Sequence, residues 1–457
     1  MSRMAMLVAA VVGTCAVLAA TGFRGRQTVV GIDLGTTYSV IGVNEAGKVT
    51  IIPGPDGNPL LPSIVTFLDG GRVAVGTDAL ELLERQPMST IYGAKRFIGR
   101  EFSDDAVSEE AVEHEFELVQ TKQDLSEAWF GIKRSGHPTA VSPQVVGSHV
   151  LGSLLRRAAD YLGHTQVSTA VIAVPAKFDA RQRAATVEAF ALAGLKVLRT
   201  LEEPTAAALA FGLHRKPNVN HILVYDLGGG TLDVSLLFVN DGSVEVLGSD
   251  GDDRLGGSDF DHCVAHVLEH KLQGKVVALE DAKGAVPCGF DTPTCALHNL
   301  YPVSEAMRRL LTDSETASME CMVLREGEAN EERQTNLRSA ASELQAERSA
   351  EVRKETWHDS ELEQSCGLWQ PFGLELTRAE YEGKCAALFD RGVTPVTRLL
   401  EHLDLTVDEI DEVVMVGGMT RTPRVRELLK SHLGVSRLNV EIDPDIVVAY
   451  GAATIAH

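Results

Sequence analysis

Two short stretches place an acidic residue, a leucine, glycine and threonine in nearly the same order. One is Asp33-Leu34-Gly35-Thr36-Thr37-Tyr38; the other is Asp226-Leu227-Gly228-Gly229-Gly230-Thr231, with Asp233 two residues on. Glycine lets the backbone reach φ > 0 and lets its N–H groups approach an anion closely. Threonine adds a hydroxyl. Carboxylates at 33, 226 and 233 would repel a bare phosphate, so their presence beside such loops implies a hard cation between, most simply Mg²⁺ with its waters. The chemistry these residues suit is the gripping of a phosphate chain with its metal.

The elements that must position them are strands. Residues 29–32 and 222–225 are apolar and mostly β-branched, which reads as buried strand. Return strands follow at 38–43 and around Asp233 and Ser235, and second hairpin arms at 48–52 and 243–248. The repetition implies an internal duplication, two lobes that pinch one nucleotide from both sides. Farther on, a buried strand at 411–416 leads into Gly417-Gly418-Met419-Thr420-Arg421 and a helix. Such a turn brings N–H groups to a helix start, a seat for phosphate or ribose. Lys95 lies in a semi-apolar stretch and reads equally as a snorkelling surface residue. Glu203 precedes Pro204 at the start of an Ala-rich helix, where the dipole alone favours a carboxylate. Glu305 and Arg309 are an (i, i+4) pair on an amphipathic segment.

Together these motifs resemble the nucleotide-binding domain of the heat shock protein 70 family, within the actin-like ATPases, from about residue 29 to 456. The likeness is greatest to the microsomal, signal-peptide-bearing kind that consists of an ATPase core without a peptide-binding domain. It implies an α/β actin-like ATPase fold: two lobes at 29–213 and 221–456, each on a ribonuclease H-like mixed sheet, with ATP or ADP and Mg²⁺ in the cleft. It assigns the phosphates to Gly35, Thr36, Thr37, Tyr38, Gly228, Gly229, Gly230 and Thr231, and the metal waters to Asp33, Asp226 and Asp233. Lys95 and Glu203, with Asp226 and Thr231, would carry the catalysis by positioning the water that attacks the γ-phosphate. Glu305, Arg308 and Arg309 would surround the adenosine, with an Arg plane on the base. Gly417, Gly418, Met419, Arg421 and Asp445 would line the cleft. Pro175 and Arg183 match residues that relay nucleotide state to a partner. The chain departs from the family pattern at Gly93, where an acidic residue is common, at Glu202, where Asn is usual, and at Arg308, where Lys is usual. The charge at Glu202 is expected to slow turnover.

A formal charge of -22 over 457 residues argues against nucleic acid binding through a basic face. Residues 1–22 begin weakly basic and run almost unbroken in Ala, Val and Leu to small residues, which reads as a signal peptide. An uncleaved anchor is the rival, and either would be the only membrane contact. The expected location is the endoplasmic reticulum lumen or secretion. Of seven cysteines, Cys15 would leave with the signal. Cys288 and Cys295 share one loop and are the expected pair, with free buried thiols as the alternative.

Helices are expected at 77–85 (capped by Thr77 or Asp78), 142–161, 179–192 (capped by Asp179), 259–270, 303–312 and 377–403, with a last capped helix at 443–453. Residues 103–117 read as a solvated acidic face, 275–301 as an unusual Pro/Gly/Cys loop, and 327–364 as a polar, partly disordered insertion. The resemblance implies a monomeric, slowly hydrolysing ATPase whose nucleotide state acts on protein partners such as co-chaperones, ubiquitin-like or trafficking proteins. It also implies that the chain holds no unfolded peptide itself. A small-molecule kinase of the same superfamily and a nucleotide-gated scaffold with little hydrolysis are the rival functions.

Overall fold

The computed structural model describes Gly13 and residues 28–272, 295, 297–324 and 369–456, except 84, 113, 122–124, 135–136 and 164–166. The chain divides into two units, Met1–Leu213 with Ile446–His457, and His214–Asp445. The expected signal segment at 1–22, the insertion at 327–364 and most of the loop at 275–301 lie outside the described residues.

In the first unit, β1 (Thr28–Leu34), β2 (Tyr38–Glu45) and β3 (Lys48–Ile51) form an antiparallel meander. β4 (Val167–Val174) runs parallel to β1, and β5 (Lys196–Glu202) parallel to β4, giving the order β5-β4-β1-β2-β3. Val30, Ile32 and Leu34 are buried in one core with Val146, Val150 and Leu154. Those last three belong to helix α2 (Pro143–Leu162), which follows the short α1 (Asp105–Ala111). Strand residues alternate faces, so Gly31 and Asp33 point the other way. There the last helix, Val447–Thr454, lies so close that a Cβ on Gly31 would overlap the backbone of Ala453. A Cβ on Gly451 would likewise overlap the Ala206 carbonyl in α4 (Glu203–Ala210), which comes after α3 (Ala180–Leu192).

The second unit repeats the plan. β6 (His221–Leu227), β7 (Leu232–Asn240) and β8 (Ser243–Asp252) form the meander, and a last strand, Glu412–Val416, runs parallel to β6. Leu34 pairs with Ser39 across the first hairpin and Leu227 with Leu232 across the second, so both loops have the same length and register. Leu223, Tyr225 and Leu227 are buried in the main core, and Asp226 faces away from it as Asp33 does from its own. Helices α5 (Gly257–Lys271) and α6 (Leu297–Asp313) pack on this core. The hairpin Thr316–Leu324 with Trp369–Thr377 follows, and then α7 (Arg378–Lys384), α8 (Ala386–Arg391), α9 (Thr394–His402) and α10 (Pro423–Leu433).

Several expectations change. The last helix belongs with the first unit rather than closing the second, because its small face (Ala449, Gly451, Ala452, Ala453) packs on β1 and α4. Its N-cap is Ile446 with no side-chain cap, so no aspartate serves there. The helix at 77 stops at Leu80, and its N-cap is Gly76 at φ 70° rather than Thr77 or Asp78. The long region after Thr377 is three helices broken at Cys385 and Gly392. α6 starts six residues before Val303 and carries Pro302 inside it. Cys295 pairs with Cys321, not with Cys288, which lies outside the described residues, and Cys263 pairs with Cys385. Spacing favours a near neighbour in sequence, whereas the fold places Cys295 beside the strand Thr316–Leu324.

Gly31→Ala drives a methyl into the backbone of the last helix and should destabilise the protein by about 1–3 kcal/mol or more. Gly383→Ala in α7, where the added methyl meets open space, should be neutral or stabilising by about 0.5–1 kcal/mol. Urea midpoints of the two variants check this; a Gly31→Ala midpoint equal to wild type would refute the close packing.

Candidate functional site

In the first unit, Asp33 lies one residue from the end of β1, opposite Val40 on β2. Burial pushes its carboxyl up to about 7; the nearby Lys95 ammonium lowers it and the Glu203 carboxylate raises it. Lys95 Nζ donates to Glu203 Oε1 at 2.6 Å, with side chains 11% and 16% exposed. These two residues are 108 apart in sequence. One rides a short 3₁₀ turn, Ala94–Arg96; the other opens α4 directly after β5. Gly93 stands before that turn at φ 65°, in the left-handed region that favours glycine, so its departure from the family pattern has a conformational reason. The segment at 103–117 is more than a solvated face. Glu110 accepts from Arg96 at 2.7 Å and meets His114 Nε2 at 3.0 Å, and it thereby pins the turn that carries Lys95.

None of Gly35, Gly228, Gly229 or Gly230 has positive φ. At Gly35 the requirement is space. A Cβ on Gly35 would overlap the Tyr38 carbonyl, and one on Gly256 would overlap Gly230. Thr36 and Thr37 supply the hydroxyls of the first loop, between its two strands. Thr231 supplies that of the second, and its carbonyl accepts from Gly228 N at 3.0 Å to close the turn.

In the second unit, Asp226 and Asp233 are direct partners across the β6–β7 hairpin. Like charges in that relation destabilise a sheet, so the pair is suited to a cation. Mg²⁺ takes one or two carboxylates and fills its shell with water and phosphate oxygens, which these donors fit. Among the described residues no three His, Cys, Asp or Glu side chains gather into one metal-holding group. Asp33 belongs to the first unit, Asp226 and Asp233 to the second. Gly417, at φ 80°, lies against the end of β6, where a Cβ would come within 2.7 Å of Asp226 Oδ1. A Cβ on Gly418 would lie 2.9 Å from Asp445 Oδ1. The turn Gly418–Arg421 is 3₁₀, and α10 starts only at Pro423.

The arginines differ from one another in setting. Arg308 is buried, and its guanidinium grips Asp261 through Nε to Oδ1 at 2.6 Å and Nη2 to Oδ2 at 3.2 Å. Its Nη1 donates to Met419 Sδ at 2.8 Å. Arg309 and Glu305 instead form an exposed pair at 2.8 Å. Arg421 is held by Asp443 and, at 2.9 Å, by Asp445. Glu202 is answered by Arg183 at 2.9 Å, and Arg183 also donates to the carbonyls of Ala176 and Phe178, just after Pro175. The extra charge at Glu202 is thus paired within the first unit. Asp261 is the residue that the sequence reading missed. Its only signal was its place four residues after Gly257, one helical turn from the glycine pair.

The family model described as Hsp70 protein matches residues 29–285 and 322–457. The chain belongs to the heat shock protein 70 family. It is 37% identical over 428 residues to heat shock 70 kDa protein 13 of Mus musculus and of Homo sapiens. It is 38% identical over 432 residues to the protein of that name in Bos taurus. In each case 93% of this chain and 87% of the relative are covered. The Hsp70 ATPase domain has the actin-like two-lobed fold, and members of the family generally bind ATP or ADP with Mg²⁺ and work with co-chaperones. Residues 286–321, which carry Glu305, Arg308 and Arg309, fall between the matched ranges of this Hsp70 chain.

Asp33 yields a pH prediction for the nucleotide- and Mg²⁺-free protein. Its folded pKa of about 7 lies above the ordinary 3.8, so the folded state binds the proton more tightly. Its contribution to stability is full below about pH 4 and is lost as pH rises through 7. Asp33→Asn should therefore flatten the pH dependence and be more stable than wild type at pH 8, by less at pH 5. Unfolding curves at the two pH values that moved in parallel would contradict this.

Proposed function

We propose that this Hsp70-family chain binds Mg·ATP and hydrolyses it slowly, that it does so in the secretory pathway, and that its nucleotide state acts on a protein partner. The observation that carries the reading is the Lys95–Glu203 pair, part-buried beside Asp33. A surface lysine would gain little from such a partner, whereas a poised ammonium and carboxylate suit phosphoryl transfer to water. Bound Mg²⁺ would supply neutralising charge to the phosphate oxygens. Lys95 would place its positive charge on the γ-phosphate. Glu203 accepts from Lys95 through one oxygen and would orient the attacking water with the other. The hydroxyls of Thr36, Thr37 and Thr231 and the backbone N–H groups of both loops would hold the phosphates. Positioning of this kind supplies most of the catalysis in phosphoryl transfer.

Lys95→Ala, Glu203→Gln and Asp226→Asn should each lower phosphate release by about tenfold or more, with Mg·ADP binding still measurable for Glu203→Gln. A phosphate-release assay on the purified protein checks this, and turnover unchanged in all three variants would refute the assignment. ADP formation that required an added small-molecule acceptor and released no phosphate would favour a kinase.

The secretory reading is supported by the apolar segment at 4–20 and by two disulfides among the described residues, which persist in oxidising compartments. Among the described residues no helix is long and apolar enough to cross a membrane. Sequencing the N-terminus of protein from expressing cells should find a start between Thr21 and Arg24; recovery from cytosol with Ser2 at the start would overturn the reading.

A further inference from the structure

We propose that Asp261 is a positioning residue for nucleoside recognition: it clamps Arg308 and so sets the distance between the phosphate hairpin and the Gly-Gly turn of the second unit. The proposal rests on the nucleotide reading above and adds a residue to it.

The start of α5 is tied to the hairpin. Gly257 N donates to Gly228 O at 3.1 Å and Ser258 N to Gly229 O at 2.8 Å. Asp259 Oδ2 accepts from Gly256 N at 2.8 Å. One turn later α5 presents Asp261. From α6, Arg308 meets it with two parallel hydrogen bonds, the geometry in which a guanidinium and a carboxylate fix each other's orientation. The same guanidinium touches Met419 in the Gly-Gly turn, and its Nη2 lies 3.3 Å from where a Cβ on Gly257 would be. Three elements that carry expected nucleotide contacts thus converge on one side chain.

The charges around the clamp point the same way. Asp261 feels Glu305 and Arg309 as well as Arg308, and these are the three residues expected around the adenosine. The side chains of Arg308 and Asp261 are 10% and 15% exposed. Removing the carboxylate leaves a buried guanidinium unpaired, which is far more costly than loss of a surface pair. Arg308 would then turn to other acceptors. Met419 and α6 would lose their fixed spacing from the hairpin, while the backbone hydrogen bonds of the hairpin itself would remain. The loss should fall on binding rather than on the chemical step.

The test is Asp261→Asn in the full chain, with calorimetric titration of Mg·ADP and steady-state ATP hydrolysis. The Kd for Mg·ADP and the KM for ATP should each rise about tenfold, and kcat should fall by a smaller factor. If the single variant does not melt cooperatively, Asp261→Asn with Arg308→Gln, which leaves no unpaired charge, is measured in its place and should show the same split. Kd and KM within twofold of wild type, or a loss confined to kcat, would overturn the proposal. Wild-type protein that neither binds Mg·ADP nor hydrolyses ATP would instead overturn the nucleotide reading, before any variant is compared.

Discussion

A carboxyl group at the end of a buried strand is costly to ionise unless positive charge is close by. Both units place one there. Asp33 and Asp226 each lie one residue from the end of their strand, on the face that it turns away from the main core. In the first unit Lys95 offsets part of the cost, yet the carboxyl still stays near 7. In the second, Asp233 stands opposite Asp226 and adds to the repulsion. The electrostatic cost is local, while burial of Val30, Ile32, Leu223 and Tyr225 on the neighbouring positions pins the strands in register.

Close backbone approach is the second constraint, and glycine meets it. Gly31 and Gly451 let the last helix settle on β1 and α4, and Gly256 lets α5 start against Gly230. The last helix thereby returns the end of the matched sequence to the unit in which it began. None of the hairpin-loop glycines has positive φ, and Gly35 is there for room, since a Cβ would overlap the Tyr38 carbonyl.

Charge pairing is the third theme. Arg183 with Glu202, Arg308 with Asp261, and Arg421 with Asp443 and Asp445 are each satisfied inside one unit. An arginine so occupied acts as a strut that orients its neighbours, and its free plane rather than its N–H fork is what remains for a ligand. Arg309 is paired with Glu305 at an exposed position instead.

The doubled hairpin and its strands were legible in the amino-acid order alone. Asp-Leu-Gly, the apolar runs before it and the Gly-Gly turn are local patterns, and each is dictated by neighbours within a few residues. The helix start at Ser142 and the cap at Asp179 were readable for the same reason. Nothing local says that Lys95 meets Glu203, that Arg308 answers to Asp261, that Cys295 joins Cys321, or that the last helix packs with the first unit. Those pairings depend on which faces the sheets and helices bring together across many residues. A sequence records the groups available for pairing, but the distance between two groups far apart along the chain is set by packing.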